Sequence, residues 1–266
     1  MTLLTSRQNP KIKQIRSLSG RKQRQQQGVF VVEGIRHVGE AVEAGAEIEY
    51  LVYAPDLLTS DFAYSLITQV EVRGTPVFTT PSDVFADIAG KENPQGILAV
   101  VKQKLTSLAY LSEANFSWGV AILAPQDPGN LGTLMRTLDA AGADGLIVLE
   151  NGTDIFHPTA VRASMGTIFW KPVVYASFAE FRAWQNVHKF NIYGTSAKGS
   201  VSYSEAEFHR PAILMLGSER EGLGEDQISM CTSLISLPMY GRASSLNLSV
   251  AAGVLLYEMG RKLTTS

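Results

Sequence analysis

Leu237-Pro-Met-Tyr-Gly-Arg-Ala-Ser-Ser-Leu-Asn247 is a polar loop. It links an apolar strand to a long helix. The strand is predicted at Leu234–Leu237 and the helix at Leu246–Lys262. Open α/β sheets bind their ligands just beyond the carboxyl ends of the strands, and glycine lets the backbone approach a ligand closely. The stretch therefore predicts a ligand site at the carboxyl edge of a sheet.

Two earlier loops have the same composition and also follow apolar strands. Pro125-Gln-Asp-Pro-Gly-Asn-Leu-Gly132 follows a strand at Trp118–Ala124, and Gly217-Ser-Glu-Arg-Glu-Gly-Leu-Gly224 follows a strand at Ala212–Leu216. None of the three loops matches GxGxxG or the Walker A pattern. The chain also has no GxSxG elbow and no catalytic cysteine arrangement. A Rossmann-like enzyme that uses a nucleotide is therefore the weaker alternative.

Strands alternate with helices along the chain, which is typical of an α/β fold. The other clear strands are predicted at Val29–Glu33, Ile48–Tyr53, Gly96–Val101, Leu146–Leu149, Pro172–Tyr175 and Asn191–Thr195. We predict a basic arm at 1–28, a small α/β domain at 29–104, a linker at 105–117 and a second α/β domain at 118–266.

The composition is that of an ordinary globular protein without disulfides. The 266 residues are 45% hydrophobic and 18% charged, and this length suffices for two domains. Cys231 is the single cysteine, and no histidine lies near it in the sequence, so we expect no metal site. The polar N-terminus is unlike a signal peptide, and the apolar run Val250–Tyr257 is too short for a membrane span. We therefore expect a protein of the reducing cytoplasm.

Positive charge is concentrated at the N-terminus. Residues 1–28 contain seven Lys and Arg and no acid, so with a net charge of −2 the other 238 residues carry −9. A basic segment on an acidic body indicates a nucleic-acid contact; the alternative is a solvated terminus. The candidate RNA-binding residues of this segment are Lys11, Lys13, Arg16, Arg21, Lys22 and Arg24.

Three segments of the second half resemble, in the right order, the three motifs of the SpoU (TrmH-type) branch of SPOUT RNA 2′-O-ribose methyltransferases. They are Asn130–Gly142 (NLGTLMRTLDAAG), Leu214–Leu223 (LMLGSEREGL) and Ile235–Gly253 (ISLPMYGRASSLNLSVAAG). Ala160–Gly166 (AVRASMG) is also similar to this family. The N-terminal part resembles the ribosomal-protein-like substrate-binding domain that often precedes the catalytic domain, through Phe30–Gly34 (FVVEG) and Gln95–Val100 (QGILAV).

The resemblance implies a trefoil knot at the C-terminus in place of an ordinary doubly wound sheet. It also implies that S-adenosylmethionine is the cofactor and that a ribose 2′-hydroxyl is the methyl acceptor. The implied cofactor-binding residues are Thr195, Ser196, Gly217, Leu237 and Leu246. The implied catalytic residues are Asn130, Arg136, Glu219, Ser245 and Asn247. Arg162 is a further candidate for RNA phosphate.

Each implied site residue also has a structural interpretation. A helix arginine such as Arg136 usually lies on the surface or in a salt bridge, and Glu219 can be a surface carboxylate. Asn130 can cap the first helix of the second domain. Ser245 and Asn247 can cap the last helix. For Glu219 we also expect a contact to Arg136 or to a nearby backbone group.

The RNA target and the assembly are expectations of the same resemblance. A basic segment, an RNA-binding domain and a knot together indicate ribosomal RNA, with a 23S-type large-subunit RNA as the expected substrate. The alternatives are a transfer RNA 2′-O-methyltransferase and a relative that binds RNA without chemistry. Because the last helix is apolar over much of its circumference, and the family forms dimers through it, we expect a homodimer.

Overall fold

Two groups of apolar strands form two separate sheets, as a computed structural model of the chain shows. The model describes residues 2–90 and 92–265, so the predicted domain limits at Met1 and Ser266 lie outside the described residues. The chain divides into unit 1, Met1–Lys104 with Phe156–Trp170, and unit 2, Leu105–Ile155 with Lys171–Ser266. None of the described helices is both long enough and apolar enough to cross a bilayer.

The strands and helices are numbered here in chain order. The strands are β1 (Thr2–Leu3), β2 (Val29–Glu33), β3 (Ile48–Tyr53), β4 (Val77–Thr79), β5 (Ile97–Lys102), β6 (Trp118–Leu123), β7 (Leu146–Leu149), β8 (Val173–Ala176), β9 (Asn191–Thr195), β10 (Val201–Ser202), β11 (Ala212–Leu216) and β12 (Ser233–Ser236). The helices are α1 (Pro10–Ser17), α2 (Arg21–Gln27), α3 (Ile35–Glu43), α4 (Asp61–Val72), α5 (Ser82–Ala86), α6 (Pro128–Ala140), α7 (Pro158–Ala163), α8 (Phe178–His188), α9 (Glu225–Ser229) and α10 (Leu248–Thr265).

The sheet of unit 1 is mixed and has the strand order β1-β4-β3-β5-β2. β5 runs antiparallel to both β2 and β3, whereas β4 runs parallel to β3 and to β1. Tyr50 and Val52 of β3 lie fully buried in the core on one face of this sheet.

Residues 1–28 are not the separate arm that the charge pattern predicts. Ile12, Ile15 and Leu18 recur at a spacing of three, and all three are buried in the same core as Val29 and Tyr50. Asn9 caps α1, because its side chain accepts a hydrogen bond from the Lys11 amide. The cations of this segment thus lie on a helix pair whose apolar residues belong to unit 1.

Two further segments differ from the predicted organisation. Residues 156–170 belong to unit 1, where Phe156 and Phe169 place their rings 4.8 and 6.2 Å from the ring of Phe30. Residues 105–117 are part of unit 2 and not a free linker. Leu111 and Phe116 are buried there, and the Trp184 indole donates to the Leu111 carbonyl at 3.0 Å. Sequence order alone does not tell which core a segment joins.

The sheet of unit 2 has seven strands in the order β10-β12-β9-β11-β6-β7-β8, and every pair in it is parallel. Its central strands β6, β7 and β11 are almost continuously buried, as expected for a parallel sheet covered on both faces. The predicted α/β fold class is confirmed. The short strands β1 and β10 and the short helices α2 and α9 lack a long apolar run and were not predicted from the sequence.

Candidate functional site

Three neighbouring strands of unit 2 bring their carboxyl ends together. β9 pairs Thr195 with Ile235 of β12 and Gly194 with Met215 of β11. Since the strands are parallel, the residues that follow each strand emerge at the same edge of the sheet. The structure therefore groups four of the predicted cofactor residues, and these are Thr195, Ser196, Gly217 and Leu237.

The loop after β11 requires glycine at its first position. Ser218 and Gly222 exchange two backbone hydrogen bonds of 3.0 and 3.1 Å, so the chain folds tightly back on itself. A Cβ atom on Gly217 would lie 2.2 Å from the carbonyl carbon of Gly222. The backbone of this turn is thus packed at a distance that no side chain on residue 217 permits.

The loops after β9 and β12 are also tied to the sheet. Ser196 donates its amide to the Ile235 carbonyl at 3.0 Å, and a Cβ atom on Gly199 would lie 2.6 Å from the Ile235 carbonyl carbon. The Thr195 hydroxyl donates to the Met215 carbonyl at 3.3 Å. These contacts give the edge a fixed backbone that can line a ligand.

The fifth predicted cofactor residue and one catalytic candidate lie farther along the loop after β12. Ser245 and Leu246 are both exposed. No hydrogen bond holds the Ser245 side chain in the part of the chain that the structure describes. These two residues remain candidates through the family resemblance alone.

A hydrogen bond joins the first and third motifs. The Asn247 side-chain amide donates to Oδ1 of Asn130 at 3.0 Å, although the two residues are 117 positions apart. Asn247 also caps α10, since its Oδ1 accepts from the Ser249 amide at 2.9 Å. Asn247 therefore caps the last helix, as its structural interpretation predicts, and also contacts a second candidate residue.

Asn130 is not the helix cap that its structural interpretation predicts. Asp127 is the N-cap of α6, and its carboxylate accepts from the Asn130 amide at 2.7 Å. The sequence signal for this was present, because Asp127-Pro128 is the usual cap residue followed by proline at the first helical position. The side chain of Asn130 is thereby left to face Asn247.

Arg136 and Glu219 do not contact each other. Arg136 is exposed on α6, and its side chain makes no hydrogen bond or ion pair with any described residue. Glu219 is also exposed, and its carboxylate accepts from the Gln126 amide at 3.3 Å. Of the two contacts expected for Glu219, the structure thus contains the one to a backbone group.

Two glycines bring α10 close to the helix that carries Arg136. A Cβ atom on Gly253 would lie 3.4 Å from Cγ2 of Thr137, and one on Gly260 would lie 3.0 Å from the Ala141 carbonyl oxygen. The last helix therefore packs tightly along α6 and its C-terminal residue, and this packing holds Asn247 near Asn130.

The single cysteine, Cys231, is not suited to act as a nucleophile. Burial raises the pKa of the Cys231 thiol to about 11, so the thiol stays protonated near neutral pH and is not an activated nucleophile. Its sulfur donates to the Gln227 carbonyl at 3.2 Å. No group of three or more His, Cys, Asp or Glu side chains suited to a metal occurs among residues 2–90 and 92–265.

The predicted RNA-binding residues of unit 1 fall into three groups. Lys13, Arg16, Arg21 and Lys22 are exposed. Lys11 is half-buried, with its ammonium 3.8 Å from the centre of the Tyr50 ring, a cation–π contact. Arg162 is half-buried on α7.

The structure contradicts the prediction that Arg24 binds RNA. Its side chain is 1% exposed, and its guanidinium donates to the carbonyls of Leu18 and Ser19 at 2.8 and 2.7 Å. The structure uses this charge to hold the turn between α1 and α2, so it is not available to RNA.

A parallel sheet with three loops gathered at its carboxyl edge defines an α/β enzyme domain with its ligand site at that edge. More particularly, the chain belongs to the SpoU rRNA methylase family, whose model matches residues 118–257. Residues 9–99 match the MRM3-like substrate-binding domain. Both parts of the resemblance seen in the sequence are confirmed.

Full-length relatives support this membership. The chain is 33% identical to a 23S rRNA (uridine(2479)-2′-O)-methyltransferase of Streptomyces viridochromogenes, over 97% of this chain and 92% of that one. It is 30% identical to the 23S rRNA (guanosine(2553)-2′-O)-methyltransferase RlmP of Bacillus subtilis, over 97% and 99%. The crystal structure of an AdoMet-bound rRNA methyltransferase from Sinorhizobium meliloti superposes with a TM-score of 0.89 at 34% identity, over 98% of both chains.

Proposed function

We propose that this protein transfers a methyl group from S-adenosylmethionine to a ribose 2′-hydroxyl of 23S-type ribosomal RNA. The observation that carries the proposal is the Asn247–Asn130 hydrogen bond. It joins the third family motif to the first, beside the edge where β9, β11 and β12 end. The named relatives methylate a uridine and a guanosine of 23S rRNA at the 2′-oxygen, and rRNA is the substrate class they share.

The loops at the carboxyl edge fit S-adenosylmethionine. The tight turn at Gly217 and Gly222 packs backbone against backbone, and backbone amides and carbonyls are suited to an adenosine and an amino-acid group. We assign cofactor binding to Thr195, Ser196, Gly217, Leu237 and Leu246. When bound, the cofactor supplies an electrophilic methyl group. The segment 237–247 is proposed to form the trefoil knot of the family around it.

Arg136 is proposed as the catalytic residue that faces the ribose. The attacking 2′-oxygen must lose a proton and gains negative charge as it reacts. A guanidinium is a permanent cation with several donors and is therefore suited to stabilising this charge rather than to removing the proton. The exposed, unpaired state of Arg136 leaves the group free for this role. Asn130, Glu219, Ser245 and Asn247 are proposed to shape the pocket around it.

The chain is further proposed to act as a homodimer through α10. One face of this helix carries exposed apolar residues at helical spacing, namely Val250 and Tyr257, which are 53% and 59% exposed, and Val254 between them. The opposite face, with Leu255, Leu256 and Met259, is buried within unit 2. An apolar stripe on both sides of a helix favours a second covering surface, and a partner copy there would complete the site.

Unit 1 is proposed to grip the RNA with its exposed cations. Lys13, Arg16, Arg21 and Lys22 can neutralise phosphates without reading sequence. Lys11 and Arg162 are additional contacts of lower exposure. A ribosomal RNA substrate also implies that the protein works in the cytoplasm.

Calorimetric titration tests the cofactor half of the proposal. The purified protein is titrated in turn with S-adenosylmethionine, ATP and NAD. We expect heat of binding for S-adenosylmethionine alone, with one site per chain. Binding of ATP or NAD in its place, or no binding of S-adenosylmethionine, would contradict the proposed function.

A further inference from the structure

A cavity in unit 1 contains a buried carboxylate that lacks a full set of partners. Glu33, the last residue of β2, is 9% exposed. Its Oε2 accepts from the Gly90 amide at 2.8 Å, whereas its Oε1 is buried without any hydrogen-bond partner in the described part of the chain. A buried carboxylate oxygen without a hydrogen bond is destabilising, so it indicates a missing donor.

A guanidinium lies beside this carboxylate without pairing with it. The Cβ position of Gly90 lies 3.2 Å from Oε2 of Glu33 and 3.7 Å from Nη1 of Arg162. The two side chains nevertheless form no ion pair, and the Arg162 side chain makes no hydrogen bond with any described residue. A strong acceptor and a strong donor therefore both lie close to the Cβ position of residue 90, and each has capacity for a further hydrogen bond.

The surroundings of the two groups favour a flat, uncharged ligand. Val31, Ile88 and Val161 supply apolar walls, and Arg16 and Asp87 stand at the same cavity as a further pair of opposite charges. The cavity has a volume of about 180 Å³. Since roughly 10–15 Å³ is enough for one water, a much larger group fits. The balanced charges disfavour a bare phosphate as the occupant.

We propose that this cavity binds a guanine base of the substrate RNA. Guanine presents the acceptors O6 and N7 side by side, which arginine recognises more often than any other base contact. Its N1–H and N2–H₂ donors lie next to O6 and can both donate to one carboxylate. Adenine and cytosine lack the acceptor pair, and uracil lacks the amino group. Single-stranded RNA is recognised in this way, through the base edges of splayed nucleotides.

The assignment gives three residues roles that the methyl-transfer chemistry does not use. Glu33 accepts from N1–H and N2–H₂, and Arg162 donates to O6. Gly90 keeps the space between them open, because any side chain at position 90 would approach Oε2. The proposal rests on RNA being the substrate, and it supplies a sequence preference that the exposed phosphate-binding cations cannot provide.

Fluorescence anisotropy with short RNAs tests the proposal on the whole protein. The probes are uridine nonamers with one central guanosine, inosine, adenosine or uridine. We expect the guanosine probe to bind about tenfold more tightly than the other three, since a good base contact discriminates to this extent. Inosine lacks only the N2 amino group, so its loss of affinity reports on Glu33 without any mutation. Equal affinity for all four probes would overturn the proposal.

The variant Glu33→Gln is expected to abolish the guanosine preference while the affinity for the uridine probe is unchanged. Glu43→Gln, an exposed carboxylate on α3, is the matched control and should keep the preference. If Glu33→Gln kept the guanosine preference, the Glu33 carboxylate would not be the group that recognises the base. That result would overturn the proposal. Methyl transfer to rRNA is measured in parallel. Transfer without guanosine preference refutes the pocket alone, whereas absence of both RNA binding and transfer refutes the proposed function with it.

Discussion

The basic segment 1–28 and the carboxyl edge of the unit 2 sheet were both predicted to be functional, but they are built in opposite ways. In the basic segment the helices α1 and α2 bury Ile12, Ile15 and Leu18, and one of the predicted RNA contacts, Arg24, is buried with them. In unit 2 the candidate Arg136 lies exposed on α6, and its side chain makes no hydrogen bond or ion pair with any described residue. A charged residue in the sequence therefore indicates function only where the fold leaves its charge without a structural partner.

Arg136→Ala is the change with the largest expected effect. Because Arg136 makes no contact that the fold needs, we expect the thermal midpoint and the affinity for S-adenosylmethionine to stay the same. The rate of methyl transfer should fall by about 10²–10³-fold, as for the loss of one group that stabilises an oxyanion. Arg182→Ala is the control, because Arg182 is an exposed helix arginine of the same unit. Equal loss of cofactor binding in Arg136→Ala would mean that Arg136 has a structural role.

Gly217→Ala tests whether the edge is a rigid backbone site. The added Cβ would lie 2.2 Å from the Gly222 carbonyl carbon, so the turn must move. A displacement of about 1 Å can cost 10²-fold in a positioned site, and we expect a loss of that order in affinity for S-adenosylmethionine by calorimetry. Gly20→Ala, where the nearest atom is 3.5 Å away, should bind the cofactor like the wild type. An unchanged affinity for S-adenosylmethionine in Gly217→Ala would show that this turn does not form part of the cofactor site.

Arg24→Ala is expected to lower stability, whereas Arg136→Ala is expected to lower activity alone. Arg24→Ala removes two charged hydrogen bonds from a buried position, and such bonds contribute about 1.5–3 kcal/mol each. We expect the free energy of unfolding to fall by about 3 kcal/mol in urea denaturation. Lys22→Ala, a neighbouring exposed cation, should leave stability unchanged and weaken RNA binding with a smaller salt dependence. If Arg24→Ala weakened RNA binding but not stability, the contrast between the two regions would fail.

Val254→Lys addresses the exposed face of α10 and is expected to have the smallest effect on the fold of one chain. A charge in the centre of the stripe should dissociate the dimer in sedimentation velocity at micromolar concentration. Val187→Lys on α8, where Val187 is 76% exposed, is the matched control and should remain dimeric. A wild-type protein that sediments as a monomer would contradict the proposed assembly.

Long apolar runs made much of the fold predictable from sequence. The strands Leu146–Leu149, Asn191–Thr195 and Ala212–Leu216 have the predicted bounds, because a buried parallel strand leaves a nearly uninterrupted apolar signal. The helix α2 was missed because its sequence RKQRQQQ contains no apolar residue. The membership of residues 156–170 in unit 1 was missed because packing between distant segments has no local signal.

The candidate site was predictable only in part, and for a similar reason. Motif order identified Asn130, Arg136 and Asn247, but no local pattern places Asn247 against Asn130 across 117 positions. The structural role of Arg24 could not be predicted either, since an arginine in a basic segment can contact RNA or donate hydrogen bonds to a turn of its own chain. A role for Glu33 could not be predicted from the segment FVVEG, because its carboxylate oxygen becomes buried and unpaired only in the folded unit.

The most direct test of the proposed chemistry is methyl transfer to isolated RNA. Unmethylated 23S rRNA is incubated with the purified protein and labelled S-adenosylmethionine, and the labelled nucleotide is then mapped. The proposed function predicts label on a single ribose 2′-oxygen with the wild type, and labelling slower by about 10²–10³-fold with Arg136→Ala. Label on a base, or no label on 23S rRNA in the presence of bound cofactor, would contradict it.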